Sequence, residues 1–254
     1  MQFWLGTHRP YWLGQTDIPL MVSNRTLCTR KRLPRASAPW VLDSGGFSEL
    51  HLYGAWETTP RAYVANVKRY ATEIGNLEWA ACQDWMCEPH ILRKTGYSID
   101  EHQYRSVVSY LELMLRAPEI PWCPVLQGWE VADYFRHADL HERMGVRLSE
   151  LPVVGIGSVC RRQGTRGAID LLVRFTQAGI RLHGFGLKTT AVRALAPFLA
   201  SSDSLAWSYR ARQRKLYCGS PLATCANHLH YALSWRDDVL ASLGTDPVQY
   251  GLPW

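Results

Sequence analysis

The chain repeatedly runs a short apolar stretch into a polar or glycine-rich break. From the middle onward each break is followed by an amphipathic helical pattern. Eight such stretches occur: "FWLG" near residue 4, "PLMVS" near 21, "WVLDS" near 41, "LEWAACQD" near 80, "WCPVLQG" near 125, "PVVGIGS" near 155, "RLHGFG" near 184 and "SLAWS" near 206. Runs this short and this apolar are expected of parallel strands buried on both faces. Helical stripes fall between several of them. In 60–74, Pro60 suits a first helical turn, and Tyr63, Val64, Val67, Tyr70, Ala71 and Ile74 recur at three- and four-residue spacing. In 165–178, Ala168, Leu171, Leu172 and Phe175 do the same. Stretches 99–116, 130–144, 189–199 and 222–242 also read as helices. Strands alternating with helices imply a parallel sheet, and eight strands imply an α/β fold of the (β/α)8 TIM-type barrel. Residues 8–19 and 24–39 carry proline, glycine and basic clusters without a helical stripe. The barrel is therefore expected to be irregular.

At 254 residues the chain is expected to form one domain, 1–254. No apolar run reaches membrane-spanning length, and "MQFWLGTHRP" lacks the pattern of a secretory leader. Seven cysteines, an odd count without regular spacing, then read as reduced cytosolic thiols or metal ligands. Charge is uneven. Residues 151–236 hold 12 Lys/Arg against Asp170 and Asp203, a balance of +10, while the rest of the chain sums to −4. A basic half points to a polyanionic partner, nucleic acid first, against the alternative of a merely solvated face.

Barrel chemistry sits at the C-terminal ends of the strands. Those positions hold His8, Asn24, Asp43, Asp84, Gln127, Gly157, Ser158, the segment Gly186 to Lys188, and Asp203. A single aspartate there is ordinarily a helix N-cap. Three of them with a glutamine suit acid–base or nucleophilic work, including glycosidic bond chemistry, which uses two carboxylates. Gly45 and Gly46, like the glycines of "GIGS" and "GFG", allow positive φ and close approach of a ligand to the backbone. Phe47, Trp85, Trp129, Trp207 and Tyr209 are candidates to stack on a base, or simply core. Near the C-terminus, Cys218, Cys225 and His228 have spacing suited to a structural Zn2+, with His230 a weaker fourth ligand. The zinc segment is expected over 213–242, together with a C-terminal helix.

"LDSGGF" (42–47) resembles the D-S-G-G-F motif of the tRNA-guanine transglycosylase superfamily. "QDWMCEP" (83–89) resembles its base-reading aspartate segment, "PVLQGW" (124–129) its V-Q-G segment and "VGIGS" (154–158) its glycine-rich base-contact loop. "SSDSLAWSYRAR" (201–212) resembles its nucleophile segment. The five occur in the family's order across most of the chain. The chain is shorter than the tRNA enzymes, and its cysteine/histidine region departs from their C-x-C-x-x-C pattern. "LGTHRPYWL", "LHGFGLKT" and "DSLAWSYRAR" are more similar to the short DpdA-type transglycosylases of bacteria and phages, which exchange guanine in DNA for a 7-deazaguanine.

That resemblance implies a role for each motif residue. Asp203 would attack C1′ and form a covalent glycosyl-enzyme, and Asp43 would shuttle the proton. Asp84 would accept from the purine N1–H and 2-amino group. Gln127 and the backbone at Gly157 and Ser158 would contact the O6 edge, and Ser44, Gly45, Gly46 and Phe47 would border the base. Arg161, Arg162, Lys188, Arg210 and Arg212 flank this site within the basic half and would contact phosphates. The implied partners are DNA, with tRNA as alternative, and a deazaguanine base; a homodimer is left open. The implied location is the cytoplasm of a bacterium or phage-infected host. A glycoside hydrolase fits the acids but not the basic half. A non-catalytic nucleic-acid-binding subunit fits poorly with Asp43, Asp84, Gln127 and Asp203 all present.

Overall fold

The computed structural model describes residues 1–158, 166–187, 192, 194–217, 219 and 224–244. Its strands are β1 (Gln2–Thr7), β2 (Leu20–Ser23), β3 (Trp40–Asp43), β4 (Leu77–Ala81), β5 (Trp122–Cys123), β6 (Val125–Leu126), β7 (Val154–Ile156), β8 (Leu182–Gly184) and β9 (Ser201–Ser204). All pair in parallel, in the order β5-β4-β3-β2-β1-β9-β8-β7-β6. The two ends of that order are one piece of chain. Pro124 has no N–H for a ladder and splits 122–126 into β5 and β6. On one side Cys82 N–H donates to the Cys123 carbonyl at 2.9 Å; on the other Gly155 N–H donates to the Pro124 carbonyl at 2.8 Å. The sheet thus curls into a nearly closed barrel.

Helices wrap the outside: α1 (Asn24–Leu27), α2 (Gly46–Tyr53), α3 (Pro60–Glu73), α4 (Pro89–Thr95), α5 (Ile99–Arg116), α6 (Val131–Arg143), α7 (Arg166–Gln177), α8 (Ala206–Gln213) and α9 (Leu229–Gly244). The stripe in 60–74 does what its spacing demands. Tyr63, Val64, Val67 and Tyr70 are buried, Pro60 opens the helix, and Thr59 caps it by accepting from Ala62 N–H. Two phenols tie α3 to strand ends: Tyr63 OH donates to the Ala81 carbonyl at 2.7 Å, and Tyr70 OH to Asn24 Oδ1 at 2.9 Å. Ser98 and Glu101 close a capping box at the start of α5. Trp4, Trp40 and Trp79 fill the core alongside the aliphatic strand residues.

Seven of the eight expected strands fall where the apolar runs lie. The eighth does not. "SLAWS" leads into α8, and the strand is the polar "SSDS" just before it, with all four residues buried. Its polar groups are satisfied against the neighbouring strand: Ser202 Oγ donates to the Gly184 carbonyl at 3.0 Å, and Ser201 Oγ lies 2.8 Å from His183 Nδ1. A pattern built on hydrophobicity cannot see such a strand. The C-terminal helix also begins later than expected, at Leu229 rather than 222, after a 3-10 turn Cys225–Asn227 capped by Thr224. Part of 189–199 lies outside the described residues. The two stretches expected as loops hold only a 3-10 turn, Pro10–Gly14, and the single turn of α1. The five described cysteines are all free thiols. Among the described residues no helix is long and apolar enough to cross a membrane.

Candidate active site

Because every strand is parallel, all their C-terminal ends open on one mouth. A cavity of about 420 Å³ lies there, lined by Asp43, Ser44, Gly46, Phe47, Asp84, Gln127, Gly157, Ser158 and Asp203 from the sequence reading. Asp43 is the last residue of β3. The chain then turns through Gly45, whose φ of +84° an L side chain rarely adopts, directly into α2. That turn brings Ser44 against the next acid. Ser44 Oγ accepts from Gly46 N–H and donates to Asp84 Oδ1, each at 3.3 Å.

Asp84 follows β4 and is held through both oxygens, with Gln127 Nε2 donating to Oδ2. Gln127 is itself fixed from several directions. Ser158 Oγ donates to its side-chain oxygen at 2.9 Å, its backbone N–H donates to His137 Nδ1 at 2.9 Å, and Gln103 Nε2 donates to its carbonyl at 2.8 Å. Gly157 is required by close approach, since a Cβ there would stand 2.2 Å from Gln127 Nε2. Tyr134 OH donates to the Gly157 carbonyl at 2.8 Å, and Ser158 takes a φ of +60°. Asp203 sits within β9, where Gly186 N–H donates to its Oδ1 at 2.7 Å.

Crowding sets the charge state. Burial pushes Asp84 up to about 7, helped by the charge of Asp43 and opposed by the bonds from Gln127 and Ser44. Asp43 is also raised, chiefly by burial and then by the charge of Asp203, against the Ser23 side chain, the Gly45 N–H and His183. Asp43 and Asp84 therefore both give up their protons less readily than a free carboxyl. A site of this kind can hold a proton, deliver it and take it back.

Several expectations resolve differently. Of the five aromatic candidates only Phe47 lines the cavity, exposed at its rim and stacked on His51 at 5.6 Å. Trp207 is core: it is fully buried, donates to the Gly6 carbonyl and packs against Trp12. Trp85 packs outside the barrel with Leu50 and Ile91. Arg210 and Arg212 lie exposed on α8, immediately after the strand that carries Asp203. Arg161, Arg162, Lys188 and Cys218 lie outside the described residues. Cys225 and His228 are buried, and His228 stacks on His230 at 5.5 Å. Among the described residues no three His, Cys, Asp or Glu side chains converge as a metal site. Sequence reasoning missed Met21, Ser23, Met86, Glu88 and Phe185, which also line the cavity, and His183 beneath it. A histidine within an otherwise apolar strand, "RLHGFG", was the available signal for the last.

A parallel barrel that gathers acids at the C-terminal ends of its strands has the layout of a barrel enzyme. The chain belongs to the DpdA family, DeoxyPurine in DNA protein A, whose family model matches residues 1–248. This is a family of 7-deazaguanine DNA transglycosylases similar to the tRNA-guanine enzymes. A search of curated proteins found no match.

The raised Asp84 has a measurable cost. In the unfolded chain the group ionises near pH 4; in the fold it ionises only near 7. The folded state then binds the extra proton between these values, so stability falls as pH rises from about 4 to about 7 and stays reduced above. Asp84→Asn removes this contribution. Urea unfolding of both proteins from about pH 5 to about pH 8 should show the variant gaining on wild type as pH rises. A difference independent of pH contradicts the assignment.

Proposed function

We propose that this protein is a DNA-guanine transglycosylase. It exchanges guanine in DNA for a 7-deazaguanine such as 7-cyano-7-deazaguanine (preQ0), on an irregular TIM-type barrel, through a covalent aspartyl-glycosyl intermediate. The observation that carries this reading is the convergence of Asp43, Asp84, Gln127 and Asp203 on one cavity in a chain of the DpdA family. The target guanosine must first leave the stack, at a cost of a few kcal/mol. Contacts from Asp84 to the N1–H and 2-amino group, from Gln127 and the backbone at Gly157 and Ser158 to the O6 edge, and from Phe47 to the face offset that cost. Asp203 then attacks C1′. The new C1′–O bond forms as C1′–N9 breaks, its electron pair goes to the purine, and Asp43 gives the departing guanine a proton. In the second half Asp43 takes the N9 proton of the incoming base. N9 attacks C1′ and the ester bond breaks, returning Asp203. Splitting one displacement into two holds the sugar on the enzyme, with its configuration retained overall, while one base leaves and the next enters. The raised Asp43 supports its role as proton holder.

Asp203→Asn keeps the shape but removes the attacking charge. It should bind DNA normally, form no denaturant-stable adduct, and release no labelled guanine from DNA. Wild type should release label from DNA and not from tRNA. Release from tRNA alone assigns the alternative substrate, and full exchange by Asp203→Asn overturns the mechanism.

Arg210 and Arg212, with Arg161, Arg162 and Lys188, are the proposed phosphate contacts. Each released counterion adds about one to the salt dependence. Arg210→Ala and Arg212→Ala should each weaken binding across all DNA sequences and flatten the plot of log affinity against log salt. An unchanged slope in both removes them from the footprint.

A structural Zn2+ is proposed on Cys218, Cys225 and His228, with His230 or another residue as fourth ligand. Buried thiol and imidazole donors suit zinc. The turn that carries Cys225 is tied to α8, since Ser208 Oγ donates to the Ala226 carbonyl at 3.0 Å. Bound there, the metal would cross-link the chain beside the DNA-contacting helix. Metal analysis should give one zinc per chain, lost together with stability in Cys225→Ser. Less than about a tenth of an equivalent in wild type rejects the site.

A further inference from the structure

His183 has no place in the chemistry described so far. It is fully buried on β8, with its ring edge-on to Trp79 at 4.8 Å and to Phe185 at 4.6 Å. In the ladder between β8 and β9 its register partner is Ser201. Side chains two residues apart on a strand share a face, so Ser201 and Asp203 point the same way. Ser201 Oγ lies 2.8 Å from His183 Nδ1, and His183 Nε2 stands 3.4 Å from Asp203 Oδ1.

This arrangement fixes the tautomer. If the ring proton sat on Nδ1, the Nε2 lone pair would face a carboxylate oxygen in a buried space, which is repulsive. With the proton on Nε2, Ser201 donates to Nδ1 and Nε2–H faces Asp203. At 3.4 Å the contact is longer than a formed hydrogen bond. Catalytic contacts are often long before substrate binds and tighten in the complex. The oxygen it faces is the one that already accepts from Gly186 N–H. Among the described residues, both polar contacts of the Asp203 side chain fall on Oδ1.

We infer that His183 is a positioning residue for Asp203: with Gly186 it pins Oδ1 from inside the barrel, so that Oδ2 is the oxygen that attacks C1′. The alternative is a histidine that only fills the core. That role needs no polar partner at Nε2, and an apolar side chain would fill the space without the cost of burying an imidazole. The inference rests on the reading of Asp203 as nucleophile.

His183→Leu fills the space without a donor, and His183→Gln restores one. Exchange kinetics on DNA with a 7-deazaguanine base, DNA affinity and thermal unfolding are to be measured for both and for wild type. The Leu variant should keep DNA affinity and KM for the base while kcat falls on the order of 10²-fold, as expected for a displaced reacting group. The Gln variant should recover about tenfold of that loss. Ser201→Ala, which removes the donor that holds Nδ1 without touching the ring, should lower kcat several-fold at unchanged KM, and it keeps the test open if the Leu variant does not fold. Unchanged kcat in His183→Leu overturns the inference. So does an equal loss in the Leu and Gln variants that tracks their melting temperatures, since that is a purely structural role. Wild type that exchanges guanine with its adduct mapped to Asp43 overturns the nucleophile assignment on which the inference rests.

Discussion

Three carboxylates share one cavity at the barrel mouth, and the cost of placing them together organises the rest of the site. Asp43, Asp84 and Asp203 come from strands β3, β4 and β9, brought to one mouth because every strand of the sheet runs the same way. Each acid is met by polar groups supplied locally. Asp84 has Ser44 and Gln127, Asp43 has Ser23 and the Gly45 backbone, and Asp203 has the Gly186 backbone with His183 alongside. Buried charge without such partners would be far more costly. Burial nonetheless raises both Asp43 and Asp84 above their ordinary values, Asp84 to about 7. A raised carboxyl suits the proton transfers that the proposed base exchange requires.

The supporting shell explains otherwise odd local choices. Gly157 has no room for a methyl group because Gln127 lies against it, and Gln127 is in turn held by Ser158, His137 and Gln103. With its backbone held by His137 and Gln103 and its side-chain amide by Ser158 and Asp84, Gln127 has little entropy left to lose on meeting a ligand. β9 is polar for the same reason. Ser201 and Asp203 share its interior face, while Ser202 on the other face bonds the Gly184 carbonyl.

Much of this was legible before the structure. The alternation of apolar runs with helical stripes gave a parallel barrel, and strand-end positions gave Asp43, Asp84, Gln127 and Asp203. It worked because buried parallel strands leave continuous apolar runs and because barrel chemistry is confined to one end. It failed where that logic lapses. β9 is buried but polar, so Ser201–Ser204 went unseen as a strand while Asp203 within it was found by its neighbours' motif. Trp207 was a candidate for stacking or for core because it lies near a strand end, and a helical turn buries it against Trp12. The contacts of His183 and Ser23 with the acids run across the sheet, so the sequence could flag His183 as odd within its strand but not name its partners.

The central claim is that this cavity replaces guanine in DNA with a 7-deazaguanine. The most direct measurement incubates the purified protein with guanine-containing DNA and a 7-deazaguanine base, digests the DNA to nucleosides and weighs them by mass spectrometry. The account predicts a deazaguanine deoxynucleoside appearing as deoxyguanosine falls by the same amount, with free guanine released in equal measure. DNA that yields only its original four nucleosides, from protein shown to be folded and to bind that DNA, contradicts it.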